Sequence, residues 1–465
     1  MALKPADSTS ERDVMPKRSC LAIILAAGEG TRMRSSTAKV MHQVGGRPMV
    51  GHVIAAAKGA GANRLAVVVG PNAGEVRDFV GATAPEAATY EQTRRLGTAH
   101  AVLAAAKEFR QAPDDVIVLY GDTPLLTAAT LKRLRGALAR GADVVALGFR
   151  TSHPTGYGRL ITEKGRLLAI REEKDASNAE RDIDFCNAGV MGFRGATAAL
   201  LKKIGNKNAK REYYLTELVE LANKAKKKVV AIEGDESEFL GVNSRIELAA
   251  AERVFQHQAR RVAMSEGVTM IAPETVWLSY DTKLGRDVIV EPNVYFGPGV
   301  TVGDGVVIRA NSHIDGATIA PGAIIGPFAR LRPGTVIGPG AFIGNFVEIK
   351  NAAVDEGAKV NHLTYVGDAH VGAGANVGAG TITCNYDGFE KHHTEIGAGA
   401  FIGSNSALVA PVNIGAGAYV GSGSVITMDV PDDALAIGRG HQVTKPGWAA
   451  TLRALKARGG KQQGD

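Results

Sequence analysis

Cysteine is nearly absent: Cys20, Cys186 and Cys384 are the only three in 465 residues. They are odd in number and scattered, with neither metal-ligand spacing nor a disulfide framework, which favours a reducing compartment. No apolar run reaches the roughly 18 residues a membrane-spanning helix needs. Residues 1–18 mix Lys4, Asp7, Glu11, Arg12, Asp13, Lys17 and Arg18 without the apolar stretch of a signal peptide. Aromatic residues make up only 5%, so few large rings are available for a core or for stacking on bases. Charge of one sign is also not concentrated. Lys and Arg number 54 against 47 Asp and Glu, a net charge of +7 and a pI near 9.2. The excess clusters only at Lys226 to Lys228 and in a tail with Arg453, Lys456, Arg458 and Lys461. Without interleaved aromatics this favours anionic small ligands over a polynucleotide. The expectation is a cytoplasmic protein with small-molecule partners, no nucleic acid and no membrane.

Glycine, by contrast, is abundant at 57 residues, and much of it sits in a periodic pattern. Val290, Phe296, Val302, Ile308 and Ile314 recur at every sixth position. After a five-residue step, Ile319, Ile325, Leu331, Ile337, Ile343 and Ile349 continue the count. Ile396, Ile402, Leu408, Ile414, Val420 and Ile426 resume it. Neither a helix nor an ordinary strand has this period. One short strand and one turn per hexad, stacked, wind a parallel β-helix with an axial aliphatic core. A Gly-rich linker would not hold aliphatics in register over such a span. The register is read as interrupted at Asn351 to Tyr365 and again at Cys384 to Thr394. Insertions in a solenoid leave as loops, often on the binding face. These two stretches and their edges carry Lys350, His362, Thr364, Tyr365, Asn385, Tyr386, Asp387, Lys391, His392 and His393. The adjacent His392 and His393 are read as solvated loop residues rather than a metal pair.

A chain of this length predicts two or three domains. Residues 20–245 alternate apolar runs (Leu21 to Leu25, Leu65 to Val69, Val116 to Leu119, Val144 to Leu147) with Ala-rich helical stretches. That predicts an α/β, Rossmann-like domain with a mostly parallel sheet. The first strand runs into Ala26-Ala27-Gly28-Glu29-Gly30-Thr31-Arg32-Met33, with Lys39 following. Ligands sit beyond strand carboxyl ends in such sheets, and glycine lets backbone N–H groups approach phosphate. The loop is neither Gly-x-Gly-x-x-Gly nor a Walker loop, and alone it is only a turn. Leu119-Tyr120-Gly121-Asp122 adds a carboxylate at another strand end. Alone, Asp122 reads as a turn cap before Pro124; beside the first loop it suits Mg²⁺ held against a nucleoside triphosphate. Together the two favour a nucleotidyltransferase.

The motifs Leu25 to Met33 with Lys39, Gln92, Leu96-Gly97-Thr98, Tyr120-Gly121-Asp122, Thr155-Gly156-Tyr157-Gly158-Arg159, Glu172, Asn187 and Gly241-Val242-Asn243 closely resemble a sugar-nucleotide pyrophosphorylase domain. The hexads with His362-Leu363-Thr364-Tyr365 and Thr383-Cys384-Asn385-Tyr386-Asp387-Gly388 resemble an acetyltransferase half. Both sets in this order, over roughly residues 20–447, resemble the bifunctional N-acetylglucosamine-1-phosphate uridyltransferase/glucosamine-1-phosphate N-acetyltransferase family of bacterial cell-envelope synthesis. Two departures stand out: Ala38 where the family has Pro, which bears on loop stiffness, and Ser422 where it has a small apolar residue.

The resemblance implies a left-handed β-helix, a homotrimer, and two reactions making UDP-N-acetylglucosamine. For uridyl transfer it implies Arg32 as the catalytic cation on the triphosphate, Lys39 on the phosphates, and Mg²⁺ on Asp122 and Asn243. Leu25, Ala26, Ala27, Gly28, Gln92, Gly97, Thr98, Tyr120 and Gly121 would hold the uridine nucleotide, and Gly158, Glu172 and Asn187 the sugar. For acetyl transfer it implies His362 as general base. Arg332, Lys350, Tyr365 and Asn376 would bind glucosamine-1-phosphate, and Ala379, Asn385, Tyr386, Lys391, Ser404, Ser422 and Arg439 acetyl-CoA. On residue type alone His362 would be a structural loop histidine; its place beside Tyr365, with Arg332 and Lys350 on neighbouring coils, favours the base, since imidazole titrates near neutral pH. The competing reading is a monofunctional pyrophosphorylase with a structural or regulatory β-helix. The expected division is 1–19 flexible extension, 20–245 uridyltransferase domain, 246–266 linker helix, 267–447 β-helix and 448–465 flexible tail.

Overall fold

The computed structural model describes residues 18–459 and divides into two compact units after Ala259. In the first unit the apolar runs become adjacent strands of one sheet. Its order is Val229–Glu233, Val144–Arg150, Phe185–Arg194, Asp115–Tyr120, Cys20–Ala26, Arg64–Val69, Ala88–Glu91. All neighbours pair in parallel except Phe185–Arg194, which is antiparallel to the strands on both sides. Cys20–Ala26 is buried along its whole length, as a central parallel strand covered on both faces must be. An antiparallel hairpin, Arg159–Glu163 with Arg166–Arg171, extends the sheet from Phe185–Arg194. The expected α/β domain with a mostly parallel sheet is what forms.

The helix Arg245–Ser265 is not a bare linker. Ala251 is fully buried, and Leu248, Val254 and Phe255 pack against Met33, Val44, Met49, Leu125 and Val242. The unit therefore runs past the expected boundary at 245, because this helix face is needed to close a small apolar cluster. A β-carbon on Gly45 would fall 2.3 Å from the Phe255 ring, so the ring fills space that only glycine leaves.

The second unit is a β-helix of the left-handed hexapeptide type, with three parallel sheets of ten, eight and eight strands. The aliphatics that carry the period all point into its core, from Val290 through Ile349 and from Ile396 to Ile426. Neighbouring coils place equivalent residues 17 or 18 positions apart, as in Ile308↔Ile325, Ile325↔Ile343, Ile343↔Val360 and Val360↔Val377. This corrects the reading of 351–365 as an excursion. After Ile349 the core steps five residues to Val354, then continues through Val360 and Val366, all buried. Counting in strict sixes lands instead on Asp355 and Asn361, which is why the register looked broken. The second interruption is a true loop. Val377 pairs with Ile402, so about one extra half-coil of chain leaves the stack at 385–393, closed by a bridge between Tyr386 and Lys391.

The tail expected to be flexible contains an exposed helix, Trp448–Gly459. At the other end Arg18 is ordered, its guanidinium 2.5 Å from buried Asp115. The remainder of both expected flexible segments lies outside the described residues.

Candidate functional site

In the first unit, the loops after Cys20–Ala26 and Asp115–Tyr120 meet because their strands are neighbours, with the Gly121 amide donating to the Leu25 carbonyl at 2.9 Å. They border a cavity of ≈ 290 Å³. Ten of the residues singled out from the sequence line it: Leu25, Ala26, Ala27, Gly28, Lys39, Gln92, Gly97, Thr98, Tyr120 and Asp122. Gly97 takes φ 114, and a β-carbon there would lie 2.6 Å from the Tyr213 carbonyl oxygen, so this approach of two backbones requires glycine. Burial pushes the Tyr120 hydroxyl up, with Glu172 and Asp122 adding to the effect, so it stays neutral.

At one end of the cavity the Lys39 ammonium contacts the Asp122 carboxylate and lies 3.1 Å from Asn243 Oδ1. Asn243 is brought in by the strand-end turn in which the Val242 amide donates to the Asp122 carbonyl. Two oxygen donors thus converge on one cation. This is a donor set of the kind Mg²⁺ takes together with phosphate oxygens and water, so the residues fit that ion. Among the described residues no group of three or more His, Cys, Asp or Glu is placed to hold a metal.

Glu172 lines a second cavity of ≈ 480 Å³ with Asp175, Asn208 and Thr216. Burial raises its carboxyl above the usual carboxylate range, against the pull of Lys210 and a hydrogen bond from Thr216. The Asn187 amide donates to the Gly158 carbonyl at 2.8 Å, so these two lie side by side. Arg32 does not line either cavity; it is exposed on a single 3₁₀ turn, Thr31–Met33.

The sequence reading missed Arg95 and Glu212, which also line the first cavity. Arg95 Nε donates to the Ala27 carbonyl at 2.9 Å and its guanidinium pairs with Glu29, which ties the phosphate loop to the Gln92–Thr98 segment. The signal was at hand: Arg95 adjoins the Leu96-Gly97-Thr98 motif. Glu212 had none, because it arrives from a loop held by the Tyr213–Leu96 backbone bond.

In the second unit the repeat itself builds the site. The ladders Ile343↔Val360↔Val377↔Ile402↔Val420 put Asn345, His362, Ala379, Ser404 and Ser422 at one corner of successive coils. Arg439 closes the column, its guanidinium donating to the Ser422 carbonyl at 2.9 Å. At ~4.8 Å per coil, the column from His362 to Ser422 is about 14 Å long. His362 Nδ1 is 2.6 Å from Asn345 Oδ1.

The next face carries the cations. Arg332, Lys350 and Gly367 are equivalent positions on three coils. A β-carbon at Gly367 would lie 2.2 Å from the Tyr365 hydroxyl, so the ring lies across that glycine beside Lys350. Arg332 bonds Glu348 at 2.8 Å. The Lys391 ammonium, from the 385–393 loop, lowers the Lys350 pKa by like-charge crowding that an anion relieves. Asp368 anchors the loop: burial works against its charge, but hydrogen bonds from Asn351 and Asn385 and the nearby lysines hold its pKa low. Asn385 is buried and Tyr386 exposed. Asn376 is separate; it pairs with Lys359 and Phe401, at the other end of the strand from the His362 column. His392 is bonded to Asp387 and His393 to Glu395.

A cleft at strand carboxyl ends on one unit and a polar column on a hexapeptide solenoid on the other define a two-domain transferase. The MobA-like NTP transferase model matches residues 22–183. The bacterial transferase hexapeptide model matches 281–316, 316–351 and 393–427. The chain is 61% identical over 445 residues to the bifunctional protein GlmU of Azorhizobium caulinodans, covering 96% of this chain and 99% of that one. It is 60% identical to that of Xanthobacter autotrophicus over 96% and 99%, and 57% identical to that of Agrobacterium fabrum over 94% and 97%. The chain belongs to the family of bifunctional GlmU proteins. It is a uridyltransferase and an N-acetyltransferase of UDP-N-acetylglucosamine synthesis.

Proposed function

We propose that the two sites act in sequence through the residues placed above. At the column, acetyl passes from acetyl-CoA to the 2-amino group of glucosamine-1-phosphate. Arg332, Lys350 and Tyr365 bind the sugar phosphate, and Lys391 adds charge from the loop. His362 takes a proton from the amine as its nitrogen bonds to the thioester carbon, and the carbon–sulfur bond breaks to release CoA. Ala379, Ser404, Ser422 and Arg439 offer a track along the coils for the cofactor, with Asn385 and Tyr386 near the reacting amide. Asn376 is assigned to the sugar phosphate by resemblance alone.

In the cleft, an oxygen of N-acetylglucosamine-1-phosphate attacks the α-phosphorus of UTP and pyrophosphate leaves. No side chain becomes covalent, so the requirement is positioning and charge neutralisation. Lys39 and the Gly28 loop hold phosphates, joined by Arg95; Arg32 reaches the triphosphate from its exposed turn. Gln92, Gly97 and Thr98 read the base, and Gly158, Glu172 and Asn187 hold the sugar. Mg²⁺ on Asp122 and Asn243 would neutralise the phosphate charge that these groups leave.

A homotrimer is supported by a ridge on the solenoid. Phe328, Phe346 and Leu363 hold left-handed backbone (φ 56, 54 and 51) where other coils use Asn293, Asn311, Gly380 or Asn405. They are about half or more exposed, at 48%, 54% and 64%. Bulky apolar residues in that conformation, facing outward on successive coils, suit a surface that copies of the chain cover. No described helix is long and apolar enough to cross a membrane, and a cytoplasmic location accords with substrates of this kind.

The observation that carries the two-activity reading is that separate cationic sites are built from different residues on different units. The test is mass spectrometry of the products from UTP, glucosamine-1-phosphate, acetyl-CoA and Mg²⁺. UDP-N-acetylglucosamine, free CoA and pyrophosphate are expected; UDP-glucosamine alone, with acetyl-CoA intact, favours the monofunctional alternative.

A further inference from the structure

We infer that Asn345 is a positioning residue for acetyl transfer: its side-chain oxygen fixes the tautomer of His362. The inference rests on His362 being the base. Asn345 and His362 are ladder partners on adjacent coils, so the register of the solenoid, rather than a mobile loop, sets their spacing. His362 Nδ1 lies 2.6 Å from Asn345 Oδ1. A carboxamide oxygen has no proton to give, so Nδ1 carries the hydrogen and donates it. The neutral ring then has its lone pair on Nε2, the nitrogen directed away from Asn345. The bond a histidine makes through one nitrogen decides what the other can do. Without an acceptor at Nδ1 the ring distributes its proton between both nitrogens and is free to turn.

Asn345 is the group on its coil that bonds the ring. The strand Phe342–Asn345 below His362 has no titratable side chain, nor does Asn376–Val377 or the turn to Gly380 above. Lys359 shares the strand of His362, and Glu348 and Tyr365 are ladder partners on the next face of the same two coils. Glu348 is engaged by Arg332 and Arg330. Asn345 sits one coil below the base in the column whose upper members are assigned to acetyl-CoA. An uncharged acceptor there sets the tautomer without placing a charge beside the ring.

The test compares wild type with Asn345→Leu, Asn345→Asp and His362→Ala, measuring acetyl transfer against pH, with uridyl transfer by the same preparations as a check of integrity. Asn345→Leu keeps the side chain's shape and removes the acceptor; kcat should fall about 10- to 100-fold, as when other outer partners of functional histidines are lost. KM for both substrates should stay within about twofold, because no substrate contact is removed. Asn345→Asp restores an acceptor and adds a charge that favours imidazolium. It should recover part of the turnover and move the acid limb of kcat/KM up by about one pH unit or more. The amine substrate titrates identically in all variants, so only the difference between them counts. If His362→Ala is inactive while Asn345→Leu keeps wild-type kcat and Asn345→Asp keeps the wild-type limb, the positioning role is overturned and the base stands. If His362→Ala turns over normally, the base assignment fails and takes this role with it. Should Asn345→Leu be insoluble, the pH limb of Asn345→Asp decides alone.

Discussion

The two sites of this chain are assembled on opposite plans. In the first unit, residues far apart in sequence are gathered at strand ends: Lys39 meets Asp122 and Asn243, and Arg95 reaches back to Ala27. In the second, one position of a repeat recurs every coil, occupied in turn by Asn345, His362, Ala379, Ser404 and Ser422, and the proposed acetyl-transfer site is read from those occupants. A sheet gathers loops, so each can vary alone. A solenoid copies geometry, so a single odd residue at a repeated corner is already a statement about chemistry.

Removing the group with the most specific task should separate the plans most clearly. His362→Ala should lower acetyl turnover about 10²- to 10⁴-fold, as loss of a positioned base does, with uridyl transfer unchanged in a coupled pyrophosphate assay. The reciprocal variant, Asp122→Asn, should cost uridyl transfer about 10²- to 10³-fold through weaker charge neutralisation. Its acetyl turnover, followed by CoA thiol release, should match wild type; parallel loss in both assays would erase the distinction between the sites.

A cut through the helix asks where the first plan ends. A fragment ending at Ala259 should fold and transfer uridyl groups. One ending at residue 245 loses Leu248, Ala251, Val254 and Phe255 from their cluster, and should be less stable by at least about 3–5 kcal/mol in urea unfolding, the scale of one large buried side chain. Equal stability of both fragments would put the boundary back at 245.

The smallest effect lies on the solenoid surface, where His370 is 2.5 Å from Glu395 and 2.8 Å from Asp355. Burial pulls its pKa down, but the two carboxylates outweigh that and raise it. A histidine with a raised folded pKa stabilises fully below its unfolded value, near 6.5, and the gain fades as pH climbs through the folded value. His370→Gln should therefore lower the melting temperature of this unit by about 1–3 °C at pH 6 and by less at pH 9. A gap that widens with pH would have the sign reversed.

Much of the solenoid was legible because a buried aliphatic is demanded at each turn, and Val290, Ile325 or Ile402 declares its coil without help. Where a coil closes in five residues instead of six, as from Ile349 to Val354, counting failed although Val354, Val360 and Val366 were in plain sight. The cleft was legible wherever a residue belonged to a motif, as Gly28, Gly97 and Asp122 do. Arg95 and Glu212 were not, since their places in the cavity wall exist only after folding brings three loops together. Asn345 shows the same limit on the solenoid: nothing local distinguishes it, and its meaning comes from a partner 17 residues on.

The central claim, two separate and independent sites, is tested most directly by mixing the crippled proteins. Asp122→Asn and His362→Ala, each supplied with UTP, glucosamine-1-phosphate, acetyl-CoA and Mg²⁺, should give little UDP-N-acetylglucosamine alone. Combined in one tube they should make it after a lag, as free N-acetylglucosamine-1-phosphate leaves one protein and reaches the other. A mixture that stays silent, while each variant still performs its own half-reaction, would contradict the account.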